Sequence, residues 1–244
     1  MKTPERKPFG GFVFYAQAKR TMTAQLFLFD LDGTIVDSAP DLTAATNHAL
    51  ALKGRSPMSV EELRPFAGHG AAGLLGHAFG IKPDNPAYKE LSDAFFDYYG
   101  SHIAIGSRPF DGIIPMLEAL RAAGIKTGVV TNKYERLARK LLKAVGIRPL
   151  FDVILGSDSP NCAKKPAPDS LLEAARLTGV SPEQTVYAGD DLRDIQAAHA
   201  AGMKAAAVRW GFLSSEPETW QADTVVSDPS ELVAWALHGK ADTI

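Results

Sequence analysis

The sequence has little cysteine, few aromatic residues and no strong excess of either charge. Its single cysteine, Cys162, cannot form a disulfide within the chain, which favours a reducing compartment such as the cytoplasm. A net charge of -2 argues against a protein that coats nucleic acid, because such proteins carry strongly basic domains. No apolar run approaches the roughly 18 to 20 residues that span a bilayer. We therefore expect neither a nucleic-acid partner nor a membrane partner.

What is present is the composition of an ordinary folded protein, with 45% hydrophobic and 22% charged residues. A length of 244 residues allows one large domain, or one domain with an insertion. The start of the chain differs, because it is basic and its short apolar stretch contains Gly10 and Gly11, which makes a poor secretory signal. We predict that residues 1–24 form a disordered extension or reflect an upstream start site, with Met22 as the initiator.

Short apolar runs recur along the chain, and polar residues or glycines follow several of them. These runs predict strands at 25–29, 127–130, 153–155, 185–188 and 205–208, and an edge strand at 224–226. Helical patterns alternate with the later strands, at 115–123, 135–145, 171–177 and 194–201. The alternation predicts an α/β fold, a doubly wound Rossmann-like core whose parallel sheet carries helices on both faces.

The stretch 36–108 breaks that alternation. Its helical patterns follow one another without a strand between them, at 42–52, 60–66, 71–79 and 88–101. We predict an inserted α-helical cap over residues 36–108, and a catalytic core formed by residues 25–35 and 109–244. Gly106 and Ser107, just before a turn, would supply a hinge between them.

Polar residues cluster where the predicted strands end, which is where open parallel sheets bind their ligands. Four such places carry chemistry: Asp30 and Asp32, Thr131 and Asn132, Lys164 and Lys165, and Asp190 and Asp194. The four carboxylates repel one another too strongly to share one crevice without a cation. Magnesium prefers oxygen ligands and commonly combines one or two carboxylates with a substrate phosphate. The sequence therefore predicts a Mg²⁺ site.

Taken in order, the four segments resemble the motifs of the haloacid dehalogenase superfamily of phosphohydrolases. The matching residues are Asp30-x-Asp32-Gly-Thr, Thr131, Lys165 and Gly189-Asp190-x-x-x-Asp194, within a resemblance that covers about residues 25–237. It implies a phosphoric monoester hydrolase that works through an aspartyl-phosphate. Within the superfamily, the stretches 27–41 and 187–202 resemble the phosphoglycolate phosphatase group.

The resemblance implies a role for each motif. Asp30 would be the nucleophile, and Asp32 would protonate the leaving group and then activate water. Lys165 and magnesium would neutralise the phosphoryl oxygens, while Thr131 and main-chain amides near Asn132 would donate hydrogen bonds to them. The predicted metal ligands are Asp30, Asp32 through its backbone carbonyl, Asp190 and Asp194, the last either at the metal or holding Lys165 or a water.

Several assignments rest on weaker signals. Gly33 would permit a tight turn that lets the backbone approach phosphate. Gly68-His69-Gly70 resembles the loop with which capped members of the superfamily touch the leaving group, so His69 and Arg64 are candidate substrate contacts; a plain loop between helices explains it equally simply. Lys164 could exchange roles with Lys165, and Asp191 could be a further ligand. We interpret the remaining candidates as structural: Cys162, His48 and His77.

The substrate is less determined than the chemistry. Asp32 argues against haloacid dehalogenation, because dehalogenases of this superfamily lack that second aspartate. No cap lysine suggests the Schiff base of a phosphonate hydrolase, and a catalytically idle binding protein would have lost an essential group. We expect a small phosphate monoester, first 2-phosphoglycolate, with N-acetylmuramic acid 6-phosphate or another sugar phosphate as alternatives and a phosphomutase behind them. The sequence indicates no oligomeric state.

Overall fold

A computed structural model describes residues 24–238. The predicted extension over residues 1–24 therefore lies, apart from Ala24, outside the described residues. Between residues 24 and 238, none of the helices combines the length and the apolar character needed to cross a membrane.

A parallel sheet forms the centre of the described chain. Its six strands lie in the order β5-β4-β1-β6-β7-β8. Their bounds are β1 Leu26–Phe29, β4 Lys126–Val130, β5 Val153–Leu155, β6 Thr185–Gly189, β7 Lys204–Val208 and β8 Thr224–Val226. The chain first adds β4 and β5 on one side of β1 and then β6 to β8 on the other. This reversal opens a crevice beyond the carboxyl end of β1, the usual ligand position in such sheets.

Strand β1 is buried on both faces because its side chains alternate between two cores. Phe27 and Phe29 pack with α5 (Ile113–Ala122), α6 (Glu135–Ala144) and α9 (Pro229–His238). Leu26 and Leu28 face the opposite layer, formed by α7 (Asp169–Thr178) and α8 (Leu192–Ala200). The predicted doubly wound α/β core is confirmed.

Four consecutive helices lie between the first and second strands of the sheet. They are α1 Ala39–Leu52, α2 Val60–Ala67, α3 Gly70–Phe79 and α4 Tyr88–Ser101. They enclose a separate apolar cluster that includes Leu42, Leu63, Leu74 and Phe95. Two residues from outside the predicted cap, Leu137 and Phe212, join this cluster. The insertion is therefore helical, as predicted, and packs directly on the sheet domain.

A two-stranded antiparallel ribbon joins the helical insertion to the sheet domain. It pairs β2 (Val36–Asp37) with β3 (Arg108–Pro109). We propose this ribbon as the junction between the predicted core and cap. Sequence patterns missed it because two residues per strand are too short to show alternation.

The carboxylate of Asp41 fastens the segment that we predicted to be a hinge. It accepts hydrogen bonds from the backbone N–H of Gly106 at 2.7 Å, and from the N–H and hydroxyl of Ser107 at 3.1 and 2.5 Å. Asp41 is 5% exposed and stands in the first turn of α1. One buried side chain thus ties the outgoing end of the insertion to its first helix.

Candidate active site

Three carboxylates meet at the carboxyl end of the sheet. Asp30 directly follows β1, Asp190 directly follows β6, and Asp194 lies in the first turn of α8. Each offers an oxygen within 4.8 Å of the others. Strands β1 and β6 are neighbours in parallel register, so their final residues emerge side by side.

Asp190 is held rigidly in this cluster. The hydroxyl of Thr34 donates to its Oδ1 at 2.8 Å, and the backbone N–H of Phe212 donates to its Oδ2 at 2.7 Å. Burial raises the pKa of Asp190 well above its ordinary value, and the charges of Asp30 and Asp194 raise it further. A compensating cation is needed to keep this carboxylate ionised.

Gly33 packs directly against the carboxylate of Asp190. Its backbone has a φ of +89°, and a Cβ built on it would lie 2.1 Å from Asp190 Oδ2. Gly33 is not among the residues that line the cavity of the site. Glycine is required there because a buried carboxylate occupies the space of a side chain, and the approach of the Gly33 backbone to phosphate stays a prediction.

Lys165 is the cation already present in the cluster. Its Nζ lies 2.8 Å from Asp30 Oδ1, 2.6 Å from Asp194 Oδ1 and 2.7 Å from the hydroxyl of Tyr187. Burial alone would lower the pKa of Lys165, but Asp194 and Asp30 outweigh burial and raise it above its ordinary value. Burial also raises the pKa of Asp194 to about 6, against the opposing effect of Lys165.

The cluster suits a divalent cation. Three carboxylates share one ammonium group, which leaves two negative charges uncompensated when all are ionised. Asp30 Oδ1 is buried, and although Lys165 lies within ion-pair distance, no donor among the described residues is aligned to hydrogen-bond it. Three buried carboxylates around one ammonium group are costly unless a further cation takes their oxygens as ligands. The residues present therefore fit a metal site.

Asp32 is paired with a lysine that the sequence analysis did not single out. Lys133 Nζ lies 3.0 and 2.9 Å from its two carboxylate oxygens, and the hydroxyl of Ser38 donates to Oδ1 at 2.5 Å. Burial alone would lower the pKa of Lys133, but Asp32 reverses this and raises it above the ordinary value. The signal available was position, since Lys133 follows Thr131 by two residues at the end of β4.

Thr131 and Asn132 lie at the end of β4 and line the cavity. Thr131 is 4% exposed. The Asn132 side chain accepts from the Lys165 backbone N–H at 2.8 Å and donates to its carbonyl at 3.2 Å. The amide group of Asn132 thus fixes the loop that carries Lys165, which leaves only its backbone for a ligand in the cavity.

The two candidate contacts from the helical insertion differ. His69 lines the cavity, beside Gly68, whose carbonyl accepts from Arg193 at 2.9 Å across to the sheet domain. Arg64 does not line it, because its guanidinium binds both oxygens of Asp37 at 3.0 and 2.9 Å. The charge of Arg64 is engaged at the ribbon between the two parts of the fold, and its contact with substrate stays a prediction.

The structure also distinguishes the other candidate residues of the sequence analysis by their surroundings. Lys164 is exposed at the cavity, whereas Lys165 is the buried lysine at the carboxylates. Asp191 caps the start of α8, and its carboxylate accepts hydrogen bonds from Arg193.

Cys162 and two histidines have surroundings typical of structural residues. Burial raises the pKa of the Cys162 thiol, whereas an activated thiol has a lowered pKa. The two histidines stack on aromatic rings, His48 on Tyr98 and His77 on Phe66.

A cavity of about 510 Å³ lies over this cluster. Its polar floor carries the carboxylates and lysines at the ends of β1, β4 and β6. Its lining also includes an aromatic wall that comes mainly from α4: Tyr88, Phe95, Phe96, Tyr99 and, at the start of α6, Tyr134. A ligand in the cavity would therefore meet both charged groups and flat apolar surfaces.

The fold is a doubly wound sheet with an inserted helical layer. Its site has two aspartates after the first strand and a buried lysine beside three carboxylates. Together these features define a class of hydrolases. The family model for haloacid dehalogenase-like hydrolases matches residues 27–208. The chain belongs to the haloacid dehalogenase-like hydrolase family.

Several curated relatives are named as phosphatases. A phosphoglycolate phosphatase from Xylella fastidiosa is 46% identical over 204 residues, 83% of this chain and 88% of that protein. An N-acetylmuramic acid 6-phosphate phosphatase from Pseudomonas aeruginosa is 38% identical over 88% of this chain and 95% of that protein. Among solved structures, CbbY from Rhodobacter sphaeroides in complex with phosphate has a TM-score of 0.70 at 26% identity, covering 86% of this chain and 96% of that one.

Proposed function

We propose that this protein is a Mg²⁺-dependent, cytoplasmic phosphatase that cleaves a small phosphate monoester by forming an aspartyl-phosphate on Asp30. The observation that carries the proposal is the junction of Asp30, Asp190, Asp194 and Lys165 at one end of a cavity. Uncharged substrates would gain nothing from such a site, whereas a phosphoryl dianion needs both a metal and an amine.

Asp30 attacks phosphorus, and the bond between phosphorus and the leaving-group oxygen breaks. Asp30 Oδ1 is buried beside Lys165, so Oδ2 is the oxygen available for attack. Lys165 and the hydroxyl of Thr131 hold the phosphoryl oxygens in line for this displacement. Preorganised donors of this kind lower the barrier because they need no rearrangement as charge develops.

Asp32 handles the protons of both half-reactions. Its proton passes to the departing oxygen, which leaves as an alcohol, and the carboxylate then takes a proton from the water that attacks the aspartyl-phosphate. Hydrolysis returns Asp30 and releases inorganic phosphate. The position of Asp32 at the cavity, two residues after the nucleophile, supports both roles.

The carboxylates of Asp30 and Asp190 and the backbone carbonyl of Asp32 would hold Mg²⁺, with Asp194 beside them. When bound, the ion supplies positive charge that neutralises the carboxylates and polarises the phosphoryl group. Asp194 also keeps Lys165 oriented toward Asp30, through its 2.6 Å contact with Nζ.

We propose 2-phosphoglycolate as the first substrate. The phosphoglycolate phosphatase at 46% identity supports this choice. The second anionic group of that substrate, its carboxylate, needs a cation at the cavity. Lys164 and His69 both line the cavity, and they offer that carboxylate an ammonium group and an imidazole N–H.

A second candidate, N-acetylmuramic acid 6-phosphate, is favoured by the aromatic wall. A glycolate group has no apolar face to pack there, whereas a sugar ring and its acetyl and lactyl groups would bury theirs against flat side chains. The relative at 38% identity acts on this compound by name. A phosphomutase would use the same floor but would return phosphate to a sugar rather than to water.

The enzymatic proposal is tested with p-nitrophenyl phosphate, with Mg²⁺ and with EDTA. We expect turnover only with the metal, and we expect Asp30→Asn to lose at least about 10³-fold in kcat because no nucleophile remains. Asp97→Asn, an exposed carboxylate on α4, is the matched control and should retain wild-type kcat. Turnover in EDTA, or by Asp30→Asn, would refute the mechanism.

The substrate is tested by measuring phosphate release from 2-phosphoglycolate, N-acetylmuramic acid 6-phosphate, hexose phosphates and nucleoside monophosphates. A kcat/KM at least about tenfold higher for one compound identifies the class that the cavity selects, since a tenfold ratio is about 1.4 kcal/mol of transition-state binding. Equal rates across the panel would contradict a selective leaving-group site. Isomerisation without phosphate release would identify a mutase.

A further inference from the structure

Lys133 is the second buried lysine of the site, and the four sequence motifs give it no function. Its ammonium group binds both oxygens of Asp32, at 3.0 and 2.9 Å. The Lys133 side chain is 8% exposed and that of Asp32 is 15% exposed. Because a buried ammonium is unfavourable without an anion, the two residues form one unit in the folded protein.

The contacts of Asp32 distinguish its two oxygens. Oδ1 accepts from Lys133 and, at 2.5 Å, from the hydroxyl of Ser38, whereas Oδ2 accepts from Lys133 alone. Three hydrogen bonds fix the plane of the carboxylate, and Oδ2 keeps the larger accepting capacity. Asp32 lines the cavity, and we assign proton exchange with a leaving group to Oδ2 because this oxygen has fewer hydrogen-bond partners than Oδ1.

The same ammonium group is covered by the helical insertion. Lys133 Nζ lies 4.6 Å from the centroid of the Tyr99 ring, which belongs to α4 and is 1% exposed. The attraction of a cation for an aromatic face is strongest when water is excluded, as it is here. The Tyr99 hydroxyl has no aligned hydrogen-bond partner within residues 24–238, so the well-defined contact is the one between the ring and the Lys133 ammonium group.

We propose that Lys133 is a positioning residue that aims Asp32 Oδ2 at the leaving group, and that Tyr99 keeps Lys133 in place when the helical insertion is seated. The proposal rests on the proposed acid role of Asp32. Lys133 would then connect the helical insertion, through Tyr99, with Asp32, the residue that protonates the departing oxygen. A lysine serving only to stabilise the fold would not affect one leaving group more than another.

The test therefore compares two aryl phosphates of similar size. The nitrophenolate released from p-nitrophenyl phosphate is stable without a proton, whereas the phenolate from phenyl phosphate depends more on the acid. The ratio of their kcat/KM values is measured, because kcat/KM reports steps up to departure of the leaving group. General-acid catalysis contributes about 10² to 10⁴-fold, so misplacing Asp32 should alter this ratio measurably.

We expect Lys133→Met to lower kcat/KM for phenyl phosphate at least about tenfold more than for p-nitrophenyl phosphate. Lys133→Gln, which can still donate one hydrogen bond to Asp32, should lie between Lys133→Met and wild type. Lys143→Met, an exposed lysine on α6, is the matched control and should leave the ratio unchanged. Circular dichroism of each variant checks that the fold is retained.

The role of Tyr99 in holding Lys133 is tested by replacing aromatic residues of α4. Tyr99→Leu removes the ring over Lys133 and should shift the ratio in the same direction as Lys133→Met, by a smaller factor. Tyr98→Leu is its control, because Tyr98 stacks on His48 and His102 rather than on Lys133. A shift with Lys133→Met but none with Tyr99→Leu would overturn the part assigned to the helical insertion.

Different results would contradict the positioning role of Lys133 and the phosphatase activity itself. Wild-type turnover with equal losses for both aryl phosphates in the folded Lys133→Met and Lys133→Gln variants would overturn the positioning role alone. Absence of metal-dependent turnover in the wild-type protein would overturn the proposed function, and the positioning role with it.

Discussion

Gly33 shows how little space surrounds the carboxylates. We predict that Gly33→Ala destabilises the protein and abolishes the metal response, because the new Cβ would lie 2.1 Å from Asp190 Oδ2. The left-handed backbone costs about 1–2 kcal/mol for alanine, and overpacking adds about 1–3 kcal/mol. Urea unfolding gives the free-energy change, and Mg²⁺-induced thermal stabilisation reports the site.

Gly124→Ala is the control for that prediction. Gly124 also has a positive φ, of +78°, but nothing lies within 4 Å of a Cβ placed there. It should show only the backbone cost of about 1–2 kcal/mol and a normal Mg²⁺ response. Equal losses in the two variants would show that contact with Asp190 is unimportant.

The sequence predicted the position of some site residues and missed others. Asp30 and Asp190 were placed together because parallel strands bring their carboxyl ends to one edge, which is a rule of topology. Lys133 was missed because its partner, Asp32, lies far away in sequence and no periodic pattern joins them. Arg64 was a candidate substrate contact because it precedes a glycine loop in sequence; its pairing with Asp37 could not be predicted, because 27 residues separate the two.

At the scale of elements, Asp41 determines how the last segment of the helical insertion returns to the sheet. We predict that Asp41→Ala lowers the free energy of unfolding by about 1–3 kcal/mol, because Gly106 and Ser107 lose a buried acceptor. The segment should also become sensitive to protease near Ile105, which is 70% exposed. Urea unfolding and timed proteolysis with mass spectrometry measure the two effects.

Asp93→Ala provides the comparison, because Asp93 is an exposed carboxylate paired with Lys89 within one helix. Its loss should cost no more than about 0.5 kcal/mol and should not expose Ile105 to protease. Cleavage at the same rate in both variants would argue that Asp41 does not hold the segment.

Most elements were predictable because their patterns are long or strongly apolar. Strands β5 and β8 and helix α4 have the expected bounds, and other ends differ by one to three residues. Helix α9 was missed, although its side chains Leu232 and Trp235 pack on the same core as β1. Its assignment depends on that tertiary contact, which no local window contains.

For the whole molecule, the carboxylate cluster makes stability depend on pH when no metal is bound. Burial raises the folded-state pKa of Asp190 well above its ordinary value and that of Asp194 to about 6. Between about pH 4 and these values, the folded protein holds protons that the unfolded chain releases, so stability falls as pH rises. In EDTA, we expect a loss of about 1–3 kcal/mol between pH 5.5 and pH 8, measured by urea unfolding.

Magnesium should oppose that loss, since it binds the ionised carboxylates of the folded state. At a concentration one hundred times its Kd, the added stability would be about 2.7 kcal/mol. Asp190→Asn should weaken both the pH dependence in EDTA and the response to Mg²⁺. Metal-free stability that increases from pH 5.5 to pH 8 would contradict this account.

The central place of β1 has a consequence for biosynthesis. Strand β1 is synthesised before both of the strands that pair with it. Thr34 is likewise synthesised before its hydrogen-bond partner Asp190, which follows it by 156 residues. At about 5–20 residues per second, a ribosome needs roughly 10 to 30 seconds to make that interval. The Leu-Phe-Leu-Phe strand has no sheet partner until β4 has been made and only one until β6 has been made, so one of its edges stays open to pairing with other chains for much of synthesis. The nucleophile is among the first described residues synthesised, and its site is among the last to be completed.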